Sequence, residues 1–209
     1  MKTGVDDCLG TQMKAVGEVM AIGKTYKETL QKAIRGLENG RSGLGFAKDF
    51  NKKSKEELLE MLKTPSSERH FQMYEAIRKG ATDEEIFAAT YEKAYFVQQM
   101  RELVELEEEM LKTPGRLPAD ELLIKAKKDG FSDKYIAKIL GIREKDVRKK
   151  RTELGVVEGW CAVPVSGVKD QYYYYSTYNC KEFESVSIIT SLSGSFLIIS
   201  EKIFALIAT

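Results

Sequence analysis

The residues that could do chemistry fall into a few groups, and each has a plainer role to weigh against it. Glu102, Glu105, Glu107, Glu108 and Glu109 crowd one stretch of helical pattern. Carboxylates gathered between helices can hold paired metal ions, but that chemistry also takes a Glu-x-x-His partner, which the sequence lacks. The run reads as a solvated helix face. His70 is the single histidine. Alone it builds no metal cluster, and no serine or cysteine stands beside it as a nucleophile. A surface or helix-capping position is expected. Gly36, Gly40, Gly43 and Gly45 spell neither the GxGxxG turn of a dinucleotide fold nor the GxxxxGK[ST] phosphate loop. They read as a flexible exit from a helix. No nucleotide-binding signature appears anywhere in the chain, which argues against autonomous ATP chemistry. The sequence therefore assigns no catalytic, no cofactor-binding and no metal-binding residue.

A basic stretch, Phe131–Gly155, carries a more specific suggestion. Ser132 can cap a short helix, Leu140-Gly141-Ile142 can turn the chain, and a second helix would follow with Arg143, Lys145, Arg148, Lys149, Lys150 and Arg151. That order is what a DNA-reading helix-turn-helix looks like, with the cations on phosphates and base readout from the first turn of the second helix. The plainer reading is a helical hairpin with a basic solvent face. Asn, Gln and Ser, which read base edges, are absent from Arg143–Arg151. A nucleic-acid module is kept as the alternative function, with nucleic acid disfavoured as a partner.

Composition narrows the classes further. Hydrophobic residues reach 43% of the 209 residues, enough for a core. Charged residues are frequent, yet 33 Lys and Arg against 32 Asp and Glu leave a formal charge of +1. A domain that lives on nucleic acid normally shows a clear basic excess. Cys8, Cys161 and Cys180 are widely spaced and form no CxxC pair. Neither a disulfide framework nor a zinc site follows, and a reducing compartment is expected. The first ten residues hold two acids and no apolar core, unlike a signal peptide. A cytoplasmic location is expected.

The elements that must position these residues are mostly helices. Thr25 can cap a helix whose apolar positions are Tyr26, Leu30, Ala33, Ile34 and Leu37, with Glu28 completing a capping box. Between Lys55 and Leu154 nothing reads as a strand. Leu58, Leu59 and Leu62, then Phe71, Tyr74 and Ile77, then Ile86 and Phe87, then Phe96, Met100, Leu103 and Val104 keep helical spacing. Further helices are expected around Leu122–Lys128, Tyr135–Leu140 and Glu144–Leu154, with Thr113-Pro114 and Leu117-Pro118 as punctuation. An internal repeat lies in this section. Gly80–Ile86 matches Gly130–Ile136 at an offset of 50, and the offset also aligns Val97 with Val147 and Arg101 with Arg151. In each copy a glycine ends one helix, Thr82 or Ser132 caps the next, and Asp83 or Asp133 suits its positive end. From Val156 onward the texture changes. Gln171–Tyr178 and Ser185–Ser200 are rich in β-branched and aromatic residues, as strands are. Ser185–Ser200 is short of the ~20 apolar residues a membrane span needs, so no membrane is expected.

Leu9–Thr25 resembles a stretch characteristic of carbamoyl-phosphate synthase large chains, where it closes the first ATP-grasp half. Tyr26–Glu38, Arg69–Gly80, Phe96–Glu107, Gly130–Asp133 and Ala137–Gly155 continue the resemblance, and the last is similar to the family's oligomerisation domain. It thus covers about residues 9–155. Tyr173–Tyr178 is similar to the segment just before the second ATP-grasp half. The family's Asp-Thr-Cys-Ala-Ala-Glu-Phe is reduced to Cys161-Ala162, and the phosphate loop expected after Tyr178 is replaced by Asn179-Cys180 and unrelated residues. A truncated gene, a frameshift or intron read-through would account for this.

The resemblance implies a parent enzyme that makes carbamoyl phosphate from bicarbonate, glutamine-derived ammonia and ATP, for arginine and pyrimidine synthesis. The parent uses ATP with Mg²⁺ or Mn²⁺; this chain is expected to hold no cofactor itself. It is expected to act as a non-catalytic oligomerisation or subunit-contact unit, associating with itself or with other carbamoyl-phosphate synthase subunits. The expected fold class is mainly α, a helical bundle with a duplicated helix-turn-helix unit, plus an irregular, β-prone C-terminal tail. Residues 1–46 would be a remnant of an ATP-grasp domain, 47–155 the helical oligomerisation domain, and 156–209 a linker-like, divergent tail.

Overall fold

The structure, a computed structural model, describes residues 8, 10–11, 19–163 and 173–180. The expected strand material at Ser185–Ser200 and the resemblance over residues 12–18 lie outside the described residues.

Eight α-helices form among the described residues: α1 (Tyr26–Gly36), α2 (Lys55–Leu62), α3 (Arg69–Arg78), α4 (Asp83–Thr90), α5 (Ala94–Leu111), α6 (Asp120–Lys128), α7 (Asp133–Leu140) and α8 (Glu144–Glu153). Local chemistry fixes their starts. Ser54 and Thr82 each accept the N–H of a glutamate three residues on, and that glutamate reaches back to the cap. Ser132 caps α7 through the Tyr135 N–H at 3.1 Å. Such reciprocal bonds satisfy N–H groups that a helix start leaves unpaired.

The central helix is α5, which packs against α1, α3, α4, α6 and α7. One hydrophobic core runs from Leu30 and Ile34 through Leu58, Phe71, Ile86, Val97 and Leu103 to Phe131, Ile136 and Val147. It does not break at 46/47. Leu30, Ile34 and Leu44 share it with the helices that follow, because α1 lays its apolar stripe on α5.

The repeat is a structural one over the span that its sequence traces. Shifting α4 by 50 residues gives the bounds of α7, and shifting the start of α5 gives the start of α8. In each copy a left-handed glycine, Gly80 or Gly130, ends the preceding helix. Val97 and Val147 are equally buried. Arg101 Nε meets Asp83 at 3.1 Å and Arg151 Nε meets Asp133 at 2.8 Å, so the same pair closes both copies.

The tail contributes more order than its sequence suggested. Strand β1 (Gly159–Ala162) pairs antiparallel with β2 (Tyr174–Thr177), with Gly159 opposite Thr177. Tyr174–Thr177 falls inside the expected strand material; its partner was not anticipated.

Candidate functional site

Among the described residues, two buried polar centres join helices of the bundle to one another. The first is built on Glu107, whose side chain is wholly inside. In α5 the positions Met100, Leu103, Val104, Glu107 and Met110 form one helical stripe, and all five are buried. Tyr74 from α3 and Tyr135 from α7 donate their hydroxyls to Glu107 Oε2 at 2.8 and 2.9 Å. Arg78 Nη2 lies 2.5 Å from Oε1, and its Nε donates to Glu75 at 3.1 Å. The Phe46 N–H donates to Glu75 at 2.7 Å, and the Gly45 N–H to the Tyr135 hydroxyl at 3.1 Å. The centre thereby ties α3, α5 and α7 to the loop before α2. Burial pushes the Glu107 carboxyl above the usual carboxylate range, against the pull of Arg78 and the two phenols. Burial and Glu107 together push both tyrosines well above their ordinary value. Every ionisable group here faces a partner inside the protein, which is the arrangement of a structural joint.

This overturns two expectations. The acidic run is not one solvated face: Glu105, Glu108 and Glu109 are exposed, Glu102 is half-buried and pairs with Lys27 at 2.8 Å, and Glu107 is a core residue. Nor do Gly43 and Gly45 form a flexible exit. A Cβ on Gly43 would stand 2.6 Å from the Tyr135 ring, and one on Gly45 2.5 Å from Glu107 Oε1. Both are small because the loop backbone lies against the polar centre.

The second centre joins Lys127 of α6 to Asp133 of α7 at 2.8 Å, with Arg151 of α8 on the same carboxylate. Lys127 also donates to the Phe131 carbonyl at 2.7 Å. Burial opposes ionisation of Asp133, but Lys127 and Arg151 outweigh it and hold the carboxyl below the usual range. Lys127 is pushed down by its own burial.

Thr25 caps α1 as expected, accepting the Glu28 N–H at 3.2 Å. The capping box does not close, because the Glu28 carboxylate turns to the Lys24 N–H instead, at 3.1 Å. His70 is half-buried in the first turn of α3, with burial pushing its pKa below the ordinary value. No group of three or more His, Cys, Asp or Glu among the described residues is placed to hold a metal ion. No helix among them is long and apolar enough to cross a membrane.

The helix-turn-helix geometry of α7 and α8 is present, with Gly141 at φ 66° between them. Four of its six cations, however, are met closely within the chain, and Lys149 lies 3.8 Å from Glu153. Arg143 pairs with Asp146, Arg148 with Glu144 and Lys150 with Asp120, each at 2.8 Å, while Arg151 is spent on Asp133. The first turn of α8 also presents Glu144 and Asp146, which would repel phosphate. The nucleic-acid reading is not supported.

One surface feature had no counterpart in the sequence reading. Phe87 and Tyr91 meet edge-on at 5.8 Å, and Tyr95 and Phe96 at 5.3 Å. These four rings, at the corner of α4 and α5, are 49, 79, 59 and 37% exposed. Helical spacing named Phe87 and Phe96 as core positions, but the core stripes of α4 and α5 run through their neighbours Ile86 and Val97, both fully buried, which leaves Phe87 and Phe96 toward the outer side.

Comparison with known proteins supplies the class. A family model described as carbamoyl-phosphate synthetase large chain, oligomerisation domain, matches residues 18–155. The chain belongs to this family and carries its oligomerisation domain. It is 39% identical over 178 residues to the carbamoyl phosphate synthase large chain of Nostoc sp., covering 84% of this chain and 16% of that one. It is 42% identical over 178 residues to the Pseudomonas aeruginosa large chain, with 83% and 16% covered. Against the Aquifex aeolicus large chain, N-terminal section, identity is 43% over 176 residues, covering 83% of this chain and 31% of that relative. The chain therefore spans less than a fifth of the whole large chains and about a third of the separate N-terminal section.

Proposed function

We propose that this chain supplies the subunit contact of a carbamoyl-phosphate synthase and performs no step of its chemistry. The parent reaction, ATP-dependent formation of carbamoyl phosphate with Mg²⁺ or Mn²⁺, belongs in this reading to segments beyond the matched region. The observation that carries the proposal is the exposed aromatic corner of α4 and α5, on a unit whose buried ionisable groups are all turned inward. Side chains of this type present ~150–250 Å² each, so four rings at these exposures offer roughly 450 Å² of apolar surface. That is about half of the ~800 Å² each partner contributes to a standard interface. Aromatic residues at the centre of a patch are also what dominates binding energy in measured interfaces.

In this division, residues 47–155 form the association unit with α1 docked on it, and the tail lies against α1 and α6 through β2 and Asn179. A cytoplasmic location, as for a metabolic enzyme, completes the reading. The test combines two measurements on the purified chain. Sedimentation velocity should show assembly that weakens on Tyr91→Ser and Tyr95→Ser, and bicarbonate-dependent ATP turnover should be absent. Assembly unchanged by both substitutions would remove the patch from the contact, and turnover would remove the non-catalytic reading.

A further inference from the structure

Glu28 stands one turn into α1, its side chain almost fully buried although it carries a charge. Its Oε2 accepts the Lys24 N–H at 3.1 Å and the Asn179 side-chain amide at 3.1 Å. Its Oε1 lies 3.0 Å from Lys32 Nζ, an ion pair whose geometry falls short of a hydrogen bond. The partners come from three places. Lys24 belongs to the segment that enters the helical unit, Lys32 to α1 itself, and Asn179 to the segment that leaves it after β2.

The leaving segment is held from other sides as well. The Asn179 amide donates to the Lys128 carbonyl at 2.8 Å, and Lys24 Nζ to the Asn179 carbonyl at 3.2 Å. Lys32 Nζ donates to the Ser176 carbonyl and stands over the Tyr175 ring. Tyr178 lies 4.7 Å below Lys127 and 5.6 Å from Arg151. Backbone crowding shows how closely the pieces meet at Glu28. A Cβ on Gly130 would come within 2.9 Å of Glu28 Cα, and one on Gly23 within 3.0 Å of its carboxyl carbon. Positions 24 and 179 are far apart in the chain, yet they share one oxygen of a carboxylate that has lost its water.

We propose that Glu28 is a latch that positions the two flanks of the helical unit together, so that release of one flank loosens the other. The inference rests on the reading that those flanks lead to other parts of a longer enzyme. A carboxylate withdrawn from water depends strongly on each donor it retains, because bonds to a buried charge are worth more than neutral ones. Removing the Asn179 donor therefore weakens the whole junction, Lys24 included.

Hydrogen exchange followed by mass spectrometry on the full chain tests this, with Asn179→Ala and Glu28→Gln compared to the parent sequence. Asn179 is only half-buried, so its loss leaves the core intact. Exchange at residues 173–180 should rise about tenfold or more in both variants, as loss of one charge-assisted bond implies. Exchange at residues 19–25 should rise in Asn179→Ala as well, while α3 and α5 stay protected. A rise confined to 173–180 in Asn179→Ala would overturn the latch. Should Glu28→Gln expose the whole bundle, Asn179→Ala alone decides. The reading of the chain as an association unit stands or falls separately, on sedimentation of the same samples.

Discussion

Replacing Glu107 by Gln tests whether the bundle is organised around one buried charge. The substitution keeps the size of the side chain and removes its charge. Arg78, with a side chain 10% exposed, loses its ion pair at 2.5 Å. Tyr74 and Tyr135 both donate to the same oxygen, and an amide offers an acceptor on one side only. If the amide oxygen takes the tyrosines, its NH₂ faces Arg78; if it turns, the NH₂ faces two hydroxyls. Breaking a buried pair costs about 3–5 kcal/mol. Arg78 retains Glu75 and Glu108, so the low end applies, about 3 kcal/mol. With a urea dependence of about 2 kcal/mol per molar for a domain of this size, the midpoint should fall by roughly 1.5 M. Equilibrium urea unfolding followed by circular dichroism reads this directly. Glu105→Gln, two residues away on the exposed side of the same helix, should stay within about 0.5 kcal/mol. Tyr135→Phe should cost more than Tyr74→Phe, because it also strips the Gly45 N–H of its acceptor. If Glu107→Gln unfolds at the same urea concentration as Glu105→Gln, the buried centre does not hold the fold and the reasoning fails.

Other consequences follow from the same geometry. Gly45→Ala should lower the thermal midpoint, at a cost of about 1–3 kcal/mol for overpacking; a midpoint within error of the parent would show that the loop gives way freely. Asp133 is held below its ordinary 3.8 by Lys127 and Arg151. Its contribution is therefore present above that value and lost as pH falls through the lower, folded one. Acid titration of stability should be shallower in Asp133→Asn, and an unchanged slope would contradict the assignment. Arg151→Gln should destabilise more than Arg101→Gln, since the Arg151 pair is 16 and 8% exposed and the Arg101 pair 23 and 31%; the reverse order in urea unfolding would count against the burial argument.

Much of this was readable in the chain, and the exceptions share a cause. Helix starts were legible because Thr25, Thr82 and Ser132 act on N–H groups two or three residues away. The repeat was legible because Asp83 and Asp133 recur with the glycine before them and the arginine eighteen residues later. Glu107 was missed although the signal existed, since it sits in register with Met100, Leu103, Val104 and Met110. Its charge outweighed its position in the reading, while in the fold three donors from other helices reverse that order. Gly43 and Gly45 looked like a loop because a close approach to Tyr135, ninety-odd residues on, leaves no local trace. The aromatic corner was hidden for the opposite reason: Phe87 and Phe96 are apolar and adjoin Ile86 and Val97, and only packing against the other helices decides which neighbour faces the core. Strand β1 carried no alternation by which Gly159–Ala162 could be recognised apart from its partner.

The central claim is that this unit exists to associate, and sedimentation velocity of the intact chain over a range of concentrations tests it most directly. The account predicts a concentration-dependent shift to a discrete assembly that Tyr91→Ser and Tyr95→Ser push back toward monomer. A folded chain that remains monomeric at every concentration would contradict it.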